Sequence, residues 1–141
     1  MRKSWLSPRG LAQFDEAAWL FLRVLTGAFL IYGVWDNITS VARMQEFVGF
    51  LKAHHFVYPE IMARLSVWAQ FFCGVAFVLG LLTRWAGLVC AINFIVGCAM
   101  VHWQQDFRAW WPATVLVAIG ALMATRGSGK FGLDRWLLED R

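Results

Sequence analysis

Apolar residues run almost without interruption through 17–35, 61–82, 85–101 and 107–125, and polar residues gather in the connections between those runs. A hydrocarbon layer about 30 Å thick takes about 20 mostly apolar residues of helix, so each run is long enough to cross a bilayer, the last two near the short limit. Backbone N–H and C=O groups cannot stay unpaired in lipid, and the period-two alternation of a barrel strand is absent. The pattern therefore predicts four helices in an all-α membrane protein. The connection "GLLTRW" at 80–85 leaves room only for a tight turn with Thr83 as N-cap, which folds the second and third runs into an antiparallel hairpin. An up-down four-helix bundle follows, as a single domain over 1–141.

The segment 40–59 is too short and too polar to cross. Its apolar positions Val41, Met44, Phe47, Val48 and Leu51 recur at helical spacing, which predicts an amphipathic helix on the outer interface between the first two spans. Pro59 suits the first turn of the second span. Lipid removes the hydrophobic drive for helix association, so close approach rests on small residues; Gly27, Gly74, Gly80, Gly87, Ala91, Gly97, Gly120 and Ala124 are expected to serve there.

Composition strengthens this picture. The chain is 60% hydrophobic, with 9 Trp and 12 Phe in 141 residues, more apolar surface than one soluble domain of that length can hide. A bilayer is the expected solvent, with Trp at its boundaries. The net charge of +4 comes from basic residues dispersed singly at the ends of apolar runs, which speaks against a nucleic-acid partner. Arg2, Lys3, Arg9, Arg84, Arg126, Lys130, Arg135 and Arg141 fall on the side of the termini, against Arg43, Lys52 and Arg108 opposite. The positive-inside rule then puts both termini in the cytoplasm, with a bacterial inner membrane as the expected location.

Other patterns narrow the chemistry. Cys73, Cys90 and Cys98 lie inside apolar runs without a C-x-x-C spacing, so they read as packing residues and not as a disulfide framework. The first run begins late, contains Arg23 and lacks a small-residue cleavage site, so it is expected to be retained. "ATRGSGKF" at 124–131 imitates a phosphate loop but has Ala124 and Phe131 where that loop needs Gly and Ser or Thr.

Candidate functional residues fall in three groups. Arg23 sits about a turn and a half inside the first span, where a charge either anchors a ligand, such as a quinone carbonyl or an anionic headgroup, or snorkels to the nearby interface. Gln70 and Asn93 lie near the middle of their spans, with Cys73 close by; they read as interhelical hydrogen-bonding groups or as a substrate site. The outer connections gather Asp36, Asn37, His54, His55, Glu60, Arg64, His102, Gln104 and Asp106, three of them inside "VHWQQDFRAWWP" at 101–112. Their spacing does not suit a metal. They read either as an ordinary interfacial belt or as a pocket in which His102, oriented by Asp36 or Asp106, exchanges protons with an amphipathic ligand such as a quinone.

Several of these stretches resemble the DoxX family of small four-helix membrane proteins. "LRVLTGAFLIYG" at 22–33 is similar to its first helix, "GVAFVLGLLTRWAGLV" at 74–89 to its second junction, "VHW" at 101–103 to its third-helix exit, and "GSGKFGLDRWL" at 127–137 to its Gly-rich tail. Two positions depart from the family pattern. Gln70 stands where many relatives carry an acidic residue, and Asn37 where the first helix usually ends in lysine.

The resemblance implies association with membrane oxidoreductase complexes, such as a thiosulfate:quinone oxidoreductase or an oxidative-stress assembly with superoxide dismutase. It leads to three expectations: an accessory or scaffold subunit of a membrane redox complex without catalysis alone, a quinone-interacting oxidoreductase subunit, or a small-solute transporter or channel. The spans carry no haem-ligand pair, flavin fingerprint or four-cysteine cluster, so no intrinsic cofactor is expected and an electron donor would be a soluble redox enzyme or another membrane subunit. Oligomerisation stays open.

Overall fold

The computed structural model describes residues 8–139, so the charges at Arg2, Lys3 and Arg141 lie outside the described residues. All regular structure among them is helical. After a short 3₁₀ turn come α1 (Asp15–Thr39), α2 (Val41–Ala53), α3 (Pro59–Leu79), α4 (Thr83–Gly97), α5 (Phe107–Arg126) and α6 (Leu133–Glu139). The end of α4 widens into a π-helical turn, Cys98–His102. Four helical stretches, 10–39, 59–79, 83–102 and 107–126, are long and apolar enough to cross a membrane. Each stretch overlaps one of the apolar runs of the sequence and extends beyond it at one end or both.

Between 22% and 33% of each apolar window is buried inside the protein, leaving Phe21, Phe29, Phe72, Trp85 and Ile92 on the outside. Such a surface needs an apolar solvent. The bilayer supplies it.

The helices associate as two pairs. α1 packs along α3, α4 packs along α5, and the pairs meet where α3 faces α4. Each pair crosses on reciprocal glycines. A Cβ added to Gly27 would stand 2.6 Å from the Gly74 carbonyl oxygen, and one on Gly74 would stand 2.7 Å from that of Gly27. In the other pair, a Cβ on Gly87 would lie 2.6 Å from the Gly120 oxygen and one on Gly120 2.8 Å from the Gly87 oxygen. Backbones this close leave no room for a side chain. Around the crossings Trp19, Leu30, Phe77, Cys90, Leu116 and Met123 form the shared core.

Three expectations about small and capping residues need correction. Nothing lies within 4 Å of a Cβ added to Gly97, which faces open space and makes no helix crossing. Gly80 does not pack helices either; at φ 67° it ends α3 in the left-handed conformation that only glycine adopts without strain. Thr83 is not the N-cap of α4. Leu82 holds that position at φ 52°, and the cap is remote: the Asp134 carboxylate accepts from Leu82 N at 2.6 Å and Thr83 N at 2.9 Å. An ionised carboxylate at a helix N-terminus meets both the orphan N–H groups and the positive dipole end, which a hydroxyl matches less well.

Pro59 opens α3 as expected. α2 begins at Ser40, whose hydroxyl accepts from Arg43 N, and lays Val48 and Leu51 with Met44 and Phe47 against Ala63 and Met62 of α3. Val41 departs from that buried face and is 80% exposed.

A Gly27→Val or Gly87→Val exchange forces backbone against backbone, and such overpacking costs about 1–3 kcal/mol. We expect both variants to melt at lower temperature in detergent, while Gly97→Ala melts within error of the parent. Equal melting of all three would sink the account of the crossings.

Candidate functional site

α2, α3 and α4 splay apart at the end where the π-turn lies. Between them lies a cavity of about 460 Å³ that opens to the outside of the bundle, lined by Phe47, Phe50 and Phe56 from α2 and the turn after it and by the half-exposed Leu65, Val89 and Ile92 from α3 and α4. Its polar lining is sparse: Ser66, Gln70, Asn93 and His102. An apolar chamber with a few convergent polar groups is the usual build of a small-molecule site. A second cavity of about 470 Å³ lies between the π-turn and α5, lined by Cys98, His102, Trp103, Trp110 and Thr114 among others. His102 borders both.

The π-turn explains that position. An extra residue in the helical turn shifts the side chains that follow, and such turns recur at functional sites. The His102 ring nitrogen Nδ1 lies 2.7 Å from Gln105 Oε1. With the amide oxygen as acceptor, Nδ1 carries the proton and Nε2 keeps its lone pair.

The structure distributes the other candidate residues unevenly. Gln70 and Asn93 do line one cavity, but no hydrogen bond joins them. Gln70 Nε2 donates to Ser66 Oγ one turn away on its own helix at 3.1 Å, Cys73 Sγ donates to the Ala86 carbonyl, and Asn93 makes no side-chain hydrogen bond with any described residue. The cavity holds the two amides apart, so the interhelical link expected from their depth does not form.

Asp36 and Asn37 belong to a separate polar patch at the end of α1. Asp36 lies 4.0 Å from the Arg43 guanidinium and accepts from Asn37 N, and Asn37 Nδ2 donates to the Arg43 carbonyl. Neither touches His102. Orientation of the imidazole falls to Gln105 instead of Asp36 or Asp106, because the 102–105 turn closes on itself through Gln105 N and the His102 carbonyl. His54 closes α2 with Nδ1 2.8 Å from the Phe50 carbonyl, and His55 follows in a left-handed turn at φ 59°. Asp106, the residue before α5, makes no side-chain cap there.

Arg23 stands at the opposite end. It is 1% exposed and donates from Nη2 to the Phe131 carbonyl at 3.1 Å, so its charge does not snorkel free of the protein. The tail that seals it is held by two more residues of the same face of α1. Trp19 Nε1 donates to the Gly127 carbonyl, and Glu16 accepts from Lys130 N.

Sequence reasoning missed the aromatic wall from α2 and the turn after it, Ser66, the orienting role of Gln105, and Asp134 as a cap. Only Asp134 had a visible signal, inside the "GLDRWL" stretch of the tail.

Four helices long and apolar enough to cross a membrane, with a mostly apolar cavity open between α2, α3 and α4, define an integral membrane protein of the small helical-bundle class. The family model described as DoxX matches residues 18–103, and the chain belongs to that family. No curated protein and no solved structure matches it at a significant level.

The cavity geometry makes a prediction that separates glue from ligand site. If Asn93 holds helices together, Asn93→Leu destabilises; with its amide unpaired at a cavity wall, replacing it with an apolar residue of similar size is neutral or stabilising by up to about 1 kcal/mol. We expect the melting temperature in detergent to stay level or rise.

Proposed function

We propose that the protein is a non-catalytic membrane subunit of a redox or stress-response assembly, and that it seats a lipid-soluble quinone in the cavity between α2, α3 and α4. The observation that carries this reading is the lining: four phenylalanines and aliphatic side chains, with two uncharged amides, one hydroxyl and one imidazole as the polar groups. A ring bearing carbonyl or hydroxyl oxygens on an isoprenoid tail has that same division of surface. Gln70 and Asn93 would hold its oxygens as hydrogen-bond donors, and the phenylalanines would pack its ring and tail. Bound quinone supplies a two-electron, two-proton couple. His102 would hold or release a proton at Nε2, and Gln105 would fix the ring that does so. The electron donor is a partner, either a soluble redox enzyme or another membrane subunit.

The same reading includes a topology. The helices run up and down, the termini and Arg84 lie in the cytoplasm, and α2 rests on the outer interface with the 103–106 turn. The excess of Lys and Arg on the terminal side supports this orientation, and the bacterial inner membrane fits it.

Two measurements test these proposals. Organic extraction of the protein purified in mild detergent should yield a near-stoichiometric isoprenoid quinone. Gly97→Phe, which projects a ring from a cavity wall with no neighbour within 4 Å, should lower that yield about tenfold with an unchanged melt. Quinone absent from the parent, or retained in Gly97→Phe, overturns the ligand reading. Impermeant maleimide applied from outside to intact cells should modify Gln104→Cys and spare Lys130→Cys; the reverse pattern inverts the topology.

A further inference from the structure

Three buried side-chain atoms lack a hydrogen-bond partner among the described residues: Arg23 Nε, Arg23 Nη1 and Thr83 Oγ1. All three belong to one place, the end of the bundle remote from the cavities, around the turn between α3 and α4. The guanidinium lies against Gly80, where any added Cβ would meet Nη1. Thr83 starts α4, and its side chain is fully buried.

The same spot holds the positive end of a helix. Leu82 N and Thr83 N point out of α4, and one carboxylate, that of Asp134, takes both. Each oxygen of that carboxylate takes one of these backbone N–H groups. The Arg23 guanidinium keeps a single acceptor, the Phe131 carbonyl, for five N–H groups. A cation, a hydroxyl and a helix N-terminus therefore share one turn, where the two oxygens of the Asp134 carboxylate bond backbone N–H groups and Arg23 Nε, Arg23 Nη1 and Thr83 Oγ1 have no partner among the described residues. A phosphate group offers four oxygens.

The anion is also tethered. Asp134 rides on the strap 127–134, which is fixed by hydrogen bonds from Trp19 to Gly127, Lys130 to Glu16 and Arg23 to Phe131, and by Asp134 N to the Gly80 carbonyl at 2.8 Å. Its large side chains contribute little to that fixation. Phe131 is 58% exposed, and beyond the strap Trp136 is 67% and Leu138 74% exposed. Lifting the strap breaks these polar contacts and uncovers chiefly the Trp19 ring against which Gly129 lies, while the strap's own bare apolar side chains already suit a membrane interface.

We propose that Arg23, Thr83 and the N-terminus of α4 form a phosphate-binding site that the chain closes on itself, with Asp134 as a tethered anion exchangeable for the phosphate of a lipid headgroup or for free phosphate. The tether sets the competition. A short intramolecular link gives an effective concentration in the millimolar range, so only an abundant phosphate displaces it. Closed, the strap ties α1 to α4 and thereby one helix pair to the other; open, it releases that end of the bundle.

The test uses the full chain in neutral detergent, titrated with short-chain phosphatidylglycerol, short-chain phosphatidylcholine and inorganic phosphate, with adducts counted by native mass spectrometry. Asp134→Ala removes the tethered anion. Gly129→Val loosens the strap without touching the cap, because Gly129 has φ 73° and a Cβ there would meet the Trp19 ring. Each variant should bind a phosphate-bearing probe about tenfold more tightly than the parent, and Arg23→Gln added to Asp134→Ala should abolish the gain. Tighter phosphatidylglycerol alone identifies the headgroup as the source; tighter inorganic phosphate identifies free phosphate; either supports the site. No gain in either variant, or a gain that survives Arg23→Gln, overturns it. Tryptic cleavage after the exposed Lys130 should accelerate in parallel in Gly129→Val, and an unchanged rate beside unchanged binding also counts against the proposal.

Discussion

The bundle depends on how closely two backbones can approach in a solvent that does not push them together. In lipid an apolar side chain gains nothing by leaving its surroundings for another apolar side chain, so association rests on dispersion between surfaces that fit. Gly27 on Gly74 and Gly87 on Gly120 meet that requirement twice, with each glycine against its partner's carbonyl oxygen. Those contacts make two stiff helix pairs. They do not make a filled bundle, because α3 and α4 carry the larger residues between the pairs, and the space left over becomes the chambers on either side of His102.

The two ends of the bundle handle polarity in opposite ways. In the cavity between α2, α3 and α4 the polar side chains Ser66, Gln70, Asn93 and His102 carry no ion pair with any described residue and are sparsely bonded, while the charged pair Asp36 and Arg43 sits apart at the end of α1. At the tail end the polar groups are charged, with Arg23 buried and the others nearer the surface, and are satisfied in part by the chain itself. Arg126 shows the tail-end arrangement, since its guanidinium stacks 4.6 Å over Trp19 and pairs with Asp15 at 2.7 Å, locking the end of α5 to the start of α1. Arg84 does likewise by donating to the Thr125 carbonyl at the end of α5, where cations are favoured by the dipole. This end closes the chain into one unit even though α1 and α5 lie in different pairs.

How much of this was legible in the sequence follows from which forces were local. The spans were, because a window of apolar residues reports its own solvent, and so were Pro59 as a helix start and the glycines at Gly27, Gly74, Gly87 and Gly120. The fates of Gly80 and Gly97 were not, since the same residue type serves a left-handed turn, a crossing or a cavity wall, and only the partner decides. Thr83 shows the same limit from the other side. It has the right chemistry and position for a cap, yet a carboxylate 51 residues away takes the role from it. The candidate site was read in fragments: Gln70 and Asn93 were grouped at mid-span with Cys73 and His102 with the outer connections, but the cavity that all of them but Cys73 line includes a π-turn that no residue pattern announces.

The replacement of the expected acid by Gln70 has a consequence for the proposed ligand. Among the described residues, the cavity between α2, α3 and α4 has no carboxylate in its lining; its polar groups are one imidazole, one hydroxyl and two carboxamides. A carboxylate at position 70 would put a proton-exchanging group deep among the helices and would need a counter-charge in low dielectric. An amide at that depth binds oxygen without changing charge. The His102 imidazole lies beside the exposed 103–106 turn, where Gln105 fixes the ring. The deep part of the cavity wall is thus uncharged, and the imidazole lies at its edge, beside the exposed turn.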